Sequence, residues 1–168
     1  MIKITWKTEK VPAGIPITQV YGLIFDKNGR MLLKVENKNG KTVYSLAGGT
    51  PEDFDADAIA TLRRELTEEI NTTVGADVRY VGYQLIEGDG DRPPYAQMRM
   101  TAIIEKIGEK LPDPDNGEIY DRLLTSPERA VELLNWGNVG KAQIMRAVEI
   151  ATAELSLPSA TDNQEIWI

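Results

Sequence analysis

Polar and apolar residues alternate with a period of two over residues 2–6 and 95–107, and the rhythm is helical at residues 57–70. Ile2, Ile4 and Trp6 alternate with polar partners as in an edge strand, until Pro12 and Gly14 break the run. Residues 17–25 are rich in β-branched and aromatic side chains, and Asp26-Lys27-Asn28-Gly29 after them is a tight-turn signal. Residues 31–36 read as the partner strand, Asn37-Lys38-Asn39-Gly40 as a second turn, and residues 42–46 as a third strand. Later, residues 77–86 and 95–107 are strand-like, the second with Met98, Met100, Ala102 and Ile104 on one face. The segment between them, Glu87 to Pro94, is too polar and proline-rich for a core.

Residues 57–70 switch to helical spacing. At about 100° per residue, Ile59, Leu62, Leu66 and Ile70 fall within one apolar stripe. Glu65 and Glu69 flank that stripe, and Glu68 lies farther round. A glycine pair, Gly48-Gly49, and an acidic loop lead into this helix. A carboxylate cluster on one side of a helix, fed by glycines, suits hard divalent cations. Two such cations against a pyrophosphate would give metal-assisted phosphoanhydride hydrolysis. A second helix is expected over residues 127–134, with Ser126 as its cap, and a last one over about 141–155, with Ile144, Val148, Ala151 and Leu155 at helical spacing. Residues 1–14 read as an extension, 15–157 as one domain, and 158–168 as a tail that stays mobile until Trp167 finds a partner.

The glycine pair, the loop and the helix together resemble the Nudix box of the MutT-like hydrolases. That signature runs glycine, five residues, glutamate, seven residues, then Arg-Glu-(apolar)-x-Glu-Glu-x-Gly-(apolar). Arg64, Glu65, Leu66, Glu68 and Glu69 fit its second half, and Tyr44-Ser45-Leu46-Ala47-Gly48-Gly49 resembles the Trp-x-Leu-Pro-Gly-Gly that opens it. The resemblance covers roughly residues 15 to 155. Three positions depart from the pattern. Counting back from Arg64, the upstream glutamate falls on Ala56; counting forward from Gly49, it falls on Asp55, and the arginine would then be Arg63. We read a one-residue insertion between Thr50 and Asp57, because a loop absorbs an extra residue cheaply. Asn71 stands at the closing glycine and is the next best residue for a left-handed helix end; Thr72 stands where an apolar residue is usual. A glutamate-rich helix face is most often merely solvated, and Arg64 to Glu68 is an ordinary i, i+4 pair. The ordered conjunction of strand, glycine turn, acidic loop and helix sets this segment apart.

Composition narrows the chemistry. The 168 residues suffice for one core and include no cysteine and no histidine. Disulfides, zinc sites with nitrogen or sulfur ligands, cysteine nucleophiles and histidine bases are therefore excluded. Any metal must be held mainly by oxygen, which favours Mg²⁺ or Mn²⁺. The net charge of −7 argues against a nucleic-acid duplex as partner. No stretch approaches the roughly 18 apolar residues that span a membrane, and the N-terminus lacks a signal-peptide run, so a cytoplasmic protein is expected.

The resemblance implies an α/β/α Nudix fold, a mixed β-sheet sandwiched between helices. It also implies divalent-metal-dependent hydrolysis of the phosphoanhydride bond of a nucleoside diphosphate linked to another moiety. On that reading Glu65, Glu68 and Glu69 bind metal and supply the base, without a sequence criterion for which takes the proton. Arg64 orients them, and the carbonyl of Gly49 or its neighbour is a further ligand. Without metal, the three carboxylates should repel one another. A later-loop acid would be Glu118 or Asp121, Arg92 and Arg99 are candidates for phosphate, and Tyr83 or Tyr95 for stacking. Family habit adds a homodimer. The alternative reading is a catalytically degenerate Nudix-fold nucleotide-binding or sensor module, and the substrate itself has no marker in the sequence.

Overall fold

The computed structural model describes residues 1–160 and 162–168. In chain order the elements are β1 (Lys3–Lys7), β2 (Ile17–Phe25), β3 (Met31–Lys38), β4 (Lys41–Ser45), β5 (Gly48–Gly49), α1 (Ala58–Ile70), β6 (Thr72–Glu87), β7 (Tyr95–Ile107), β8 (Asp121–Thr125), α2 (Pro127–Leu134), α3 (Gly137–Glu154) and β9 (Ile166–Trp167). One mixed sheet runs β1-β6-β7-β2-β3-β8-β9, with β4 added to β3 and β5 to β2. β2 and β7 are parallel, and the other pairs are antiparallel.

The sheet splays in the middle. β2 and β3 share a single register pair, Phe25 with Met31, and then part. β3 goes on to pair with β4 and β8, while β5 takes the open edge of β2, with Val20 opposite Gly49 and Tyr21 opposite Gly48. The glycine pair is thus held in the gap between the two halves.

Strand alternation gives the sheet two apolar faces. Val20, Ile24, Leu32, Met98, Met100, Ala102 and Ile104 meet Leu62, Leu66 and Ile70 of α1 on one side. Leu23, Phe25, Met31 and Leu33 meet Ala130 and Leu134 of α2 and Ile144, Ala147, Ile150 and Ala151 of α3 on the other. This is the expected α/β/α sandwich. Leu62 and Leu66 are fully buried, each contributing about 1.5–3 kcal/mol relative to exposure.

α1 is bounded by chemistry legible in its ends. The Asp57 carboxylate accepts from the Ala60 N–H, and Asn71 closes the helix in the left-handed region at φ 43°. Asn71 does more than a glycine could, because its side-chain amide donates to the Glu109 carbonyl at 2.9 Å and so ties the helix end to the β7–β8 connection. Arg122, buried on β8, donates to the Ile70 and Gly108 carbonyls at 2.9 and 2.8 Å and fixes the same corner from below.

Three segments differ from expectation. β6 starts at Thr72 rather than 77, because the Asn71 cap delivers the chain straight onto β7, with Thr72 opposite Ile107; register shifts between Thr73 and Gly82 hide this start from an alternation pattern. α3 starts at Gly137, where Gly137 and Gly140 are weak helix formers. The tail expected to be mobile is held: Ile166 and Trp167 pair with Leu124 and Leu123 of β8, and Arg30–Asp162, Ser126–Asn163 and Arg129–Glu165 contacts pin it. β1 is the expected edge strand, in register with β6 from Lys3–Glu87 to Lys7–Tyr83. Among the described residues no helix is long and apolar enough to cross a membrane.

α1 lies so close to β2 that a Cβ on Gly22 would sit 3.0 Å from Leu62 Cδ1. Gly22→Val should therefore overpack this interface and lower unfolding stability by about 1–3 kcal/mol, read from the urea midpoint. An unchanged midpoint would mean that α1 is free to shift on the sheet.

Candidate functional site

Arg64 gathers the acidic loop and the helix around one guanidinium. Its Nε and Nη2 donate to the two oxygens of Asp55 at 3.1 and 2.9 Å, and Nη2 also donates to the Thr50 carbonyl at 2.9 Å. Its Nη1 donates to Glu65 at 2.8 Å and to Glu68 at 3.0 Å. All five N–H donors of the group are thereby used. Asp55 additionally accepts from the Glu52 N–H and the Thr61 hydroxyl, both at 2.9 Å. These bonds, with Arg64 foremost, hold the Asp55 carboxyl well below the usual carboxylate range, and Asp55 in turn keeps Arg64 firmly protonated.

The two competing sequence registers meet here. The helix places Arg64 inward, the loop places Asp55 against it, and Ala56 is passed over. Arg63 turns the other way, onto the carbonyls of Val74, Gly75 and Ala76. The extra residue is absorbed before the helix.

Glu65 is buried beneath the glycine pair. A Cβ at Gly49 would stand 2.5 Å from its carboxylate, so only glycine leaves room for Glu65 there. At Gly48 a Cβ would collide with the Val20 carbonyl. Burial pushes the Glu65 carboxyl up, Arg64 opposes this, and the charges of Glu69 and Glu68 add to the rise. Glu69 accepts from Lys34 Nζ at 2.9 Å and from the Gly48 N–H at 3.2 Å; burial nonetheless raises its carboxyl, with Lys34 the main opposing influence. Glu68 is more exposed. The repulsion expected among three close carboxylates is thus partly offset by Lys34 and Arg64, and Glu69→Gln would break an ion pair as well as remove a charge. Among the described residues, no group of three Asp or Glu side chains converges closely enough to hold a metal ion.

The donor set still fits a hard divalent cation. Asp55 matches the charge of Arg64, and Glu65 and Glu68 share a single nitrogen of it. Negative charge is therefore left over beside Gly49, and every available donor is oxygen.

The other candidates separate into three places. Arg92 and Tyr95 stack, with the guanidinium 4.3 Å from the ring centroid, and both bind Asp89. They line a hollow of about 420 Å³ together with Thr50, which places them on the loop side of Arg64. Arg99 is on the opposite face of β7 from Met98 and Met100. It lines a cavity of about 450 Å³ with Tyr21, Leu46, Gln84, Trp136 and Val139. Since Tyr21 is the register partner of Gly48, this cavity adjoins the glycine pair from the α3 side, and Glu65 and Glu69 are close enough for their charges to reach the Tyr21 phenol. Glu118 lies with Glu36 and Lys38, Asp121 pairs with Lys110, and Tyr83 is buried in the sheet. The loop acid whose charge reaches Glu69 is instead Asp113, which is 5% exposed.

Sequence reasoning missed Lys34 and Asp113. Lys34 interrupts the apolar run Met31-Leu32-Leu33-Lys34-Val35, and a lysine in a buried strand is a readable signal of an internal anion. Asp113 between Pro112 and Pro114 gives no such signal, because a proline-rich loop normally lies on the surface.

Comparison with known proteins bears on the fold. The structure is similar to a pyrophosphohydrolase from Bacillus subtilis at 20% identity and TM-score 0.52, covering 64% of this chain and 63% of that one. It is also similar to the ORF135 protein of E. coli at 18% identity and TM-score 0.56, covering 86% and 98%. A NUDIX hydrolase from Nitrosomonas europaea gives 17% identity and TM-score 0.56, covering 88% and 94%. At these identities the likeness concerns the fold. Comparison with curated proteins finds none that matches in sequence. The NUDIX domain profile matches residues 16–148, most of the chain, and the chain therefore belongs to the NUDIX domain family.

Proposed function

We propose that this protein hydrolyses the phosphoanhydride bond of a nucleoside diphosphate linked to another moiety, with Mg²⁺ or Mn²⁺ as cofactor. The observation that carries the reading is the Glu65 carboxylate, buried against Gly49 and shared through Arg64 with Glu68 and Asp55. Family membership supports it. Glu65, Glu68, Glu69 and the Gly49 carbonyl would hold the metal. When bound, the metal would neutralise the phosphate oxygens and acidify a water.

The chain's own residues set the conditions for that chemistry. Arg64 holds Glu65 and Glu68 in fixed directions through charge-assisted hydrogen bonds. Glu65 and Glu68, both held by Arg64, are the carboxylates we assign to take the proton from water. Lys34 neutralises Glu69 in the free protein, and it lies 4.6 Å from the centroid of the Tyr120 ring. Arg92 and Tyr95 supply a cation and a ring on the loop side. We further propose a cytoplasmic homodimer, a state that a light-scattering mass near 18.7 kDa would remove.

The Lys34–Glu69 pair favours a second reading, a Nudix-fold nucleotide-binding or sensor module in which a lysine stands where a cation would otherwise sit. A panel of nucleoside triphosphates, nucleotide sugars, ADP-ribose and dinucleoside polyphosphates, assayed with Mg²⁺ and with Mn²⁺, separates the two. Metal-dependent turnover supports the enzyme, and nucleotide binding without turnover supports the module.

Glu68→Gln should fold like the wild type, because Glu68 is partly exposed, and should lose at least about a hundredfold in turnover, since metal ligation contributes several kcal/mol to transition-state stabilisation. Chelator should abolish turnover while the far-UV spectrum stays native. Hydrolysis at the wild-type rate in Glu68→Gln would place the catalytic metal elsewhere.

Asp55→Asn tests the upstream acid by its pH dependence. A carboxyl depressed in the folded state contributes stability above its ordinary pKa of 3.8 and loses it as pH falls through the depressed value. The variant should therefore melt below the wild type at pH 7, and the gap should narrow on acidification below about pH 5. A gap that is constant with pH would show that the hydrogen-bond geometry, not the charge, is what Asp55 provides.

A further inference from the structure

Arg99 is a buried cation without an anion. It is 3% exposed. Its Nε donates to Gln143 Oε1 at 3.0 Å, Nη1 to the Gln97 carbonyl at 3.3 Å and Nη2 to Gln84 Oε1 at 3.0 Å. Among the described residues no carboxylate pairs with it. Three of its five N–H groups are thus satisfied, by neutral oxygens only. Its guanidinium lies 4.8 Å from the centroid of the Tyr21 ring, and burial pulls its pKa down to about 10. A buried charge is normally paired, so this one needs a reason.

The cavity it lines supplies one. Unused donors gather round Arg99: two of its own N–H groups remain, Gln84 has its carbonyl oxygen committed and its amide nitrogen left over, and nearby the Gln143 Nε2 is wholly buried without a partner. The walls are Leu46, Trp136, Val139 and Ile4, with Trp136 and Val139 37% and 38% exposed at the mouth. A free phosphate or carboxylate would match the charge, yet would have to shed its water against these apolar walls. A planar ring buries well on them and can present acceptors at its edge.

We propose that this cavity receives the base of the nucleotide and that Arg99 makes it a guanine pocket, donating to the O6/N7 edge. The inference rests on the reading of the substrate as a nucleotide and deepens it. Adenine sets an amino donor where guanine has O6, so two donors would face each other; the arginine-to-guanine pairing is the geometrically matched one. The Ser45 and Gln97 side-chain oxygens in the same lining can accept from the amino and imino groups of guanine. The cavity adjoins Gly48 through Tyr21, so a base on the α3 side would lie next to the glycine pair.

Nucleoside monophosphates test this without any anhydride to cleave. Calorimetric titration of the full chain with GMP, AMP, UMP, CMP, 7-deaza-GMP and ribose 5-phosphate should place GMP first, ahead of AMP by roughly 5- to 150-fold. 7-Deaza-GMP, which lacks the N7 acceptor, should bind several-fold more weakly than GMP. Arg99→Met should abolish the GMP preference; if that variant does not fold, the 7-deaza comparison on the wild type decides alone. Equal affinity for GMP and AMP, tightest binding of UMP or CMP, unchanged binding of 7-deaza-GMP, or ribose 5-phosphate binding as well as GMP would each overturn the pocket. A GMP preference in a protein that hydrolyses no anhydride would sink the enzyme reading and leave the pocket standing, whereas turnover without base preference would do the reverse.

Discussion

One guanidinium sets the geometry of the glutamate helix relative to its loop. Arg64 is committed on every donor, to Asp55 and Thr50 from the loop and to Glu65 and Glu68 from its own helix. Because both partners in the Asp55 pair are largely covered from water, removing either leaves a charge that water cannot readily reach. The loop between Gly49 and Asp57 has few apolar anchors of its own: Phe54 is exposed and lies 5.6 Å from Arg64. Its path over the helix is therefore dictated by polar contacts to Arg64, and the position of Glu65 under Gly49 follows from that path.

The parts of this arrangement that were legible in the sequence are the local ones. The apolar stripe of α1, its left-handed end at Asn71, the Asp26–Gly29 turn and the alternating face of β7 depend on spacing within a few residues, and the structure has them as expected. The Asp55/Ala56 ambiguity could not be settled by counting, since it is a question of which carboxylate reaches across the loop. Lys34 and Asp113 approach Glu69 from segments far away in the chain. The tail was misjudged for the same reason: its polar residues look solvated until Arg30, Ser126 and Arg129 are brought beside them. The early start of β6 was hidden because register shifts break the period of two on which strand reading depends.

A chain of net charge −7 is an unpromising receptor for a polyanion, and the placement of its cations bears on that. Lys34 and Arg64 are mostly covered side chains set against the glutamates, and Arg99 and Arg122 are buried at sheet positions, Arg122 on the Ile70 and Gly108 carbonyls and Arg99 on glutamine oxygens. The negative charge is left largely to the exterior. Positive charge inside a low-dielectric interior acts more strongly than on the surface and is little screened by salt. Such a protein repels anions in general and can attract one only where the interior cations are reachable.

The splay between β2 and β3 decides where that is. If β3 followed β2 along its whole length, the edge now taken by Gly48 and Gly49 would be filled and the two faces of the sheet would be sealed from each other. Because they part after Phe25 and Met31, a two-residue strand without side chains occupies the gap. Glu65 lies against it from the α1 side, and Tyr21, below Arg99, lies against it from the α3 side. A substituent at Gly48 would collide with β2 and one at Gly49 with Glu65, so the thinness of the barrier depends on glycine at both positions. The glutamate helix and the Arg99 cavity are thus separated at this point only by a strand of two glycines, and the sheet topology, more than any single side chain, brings them this close.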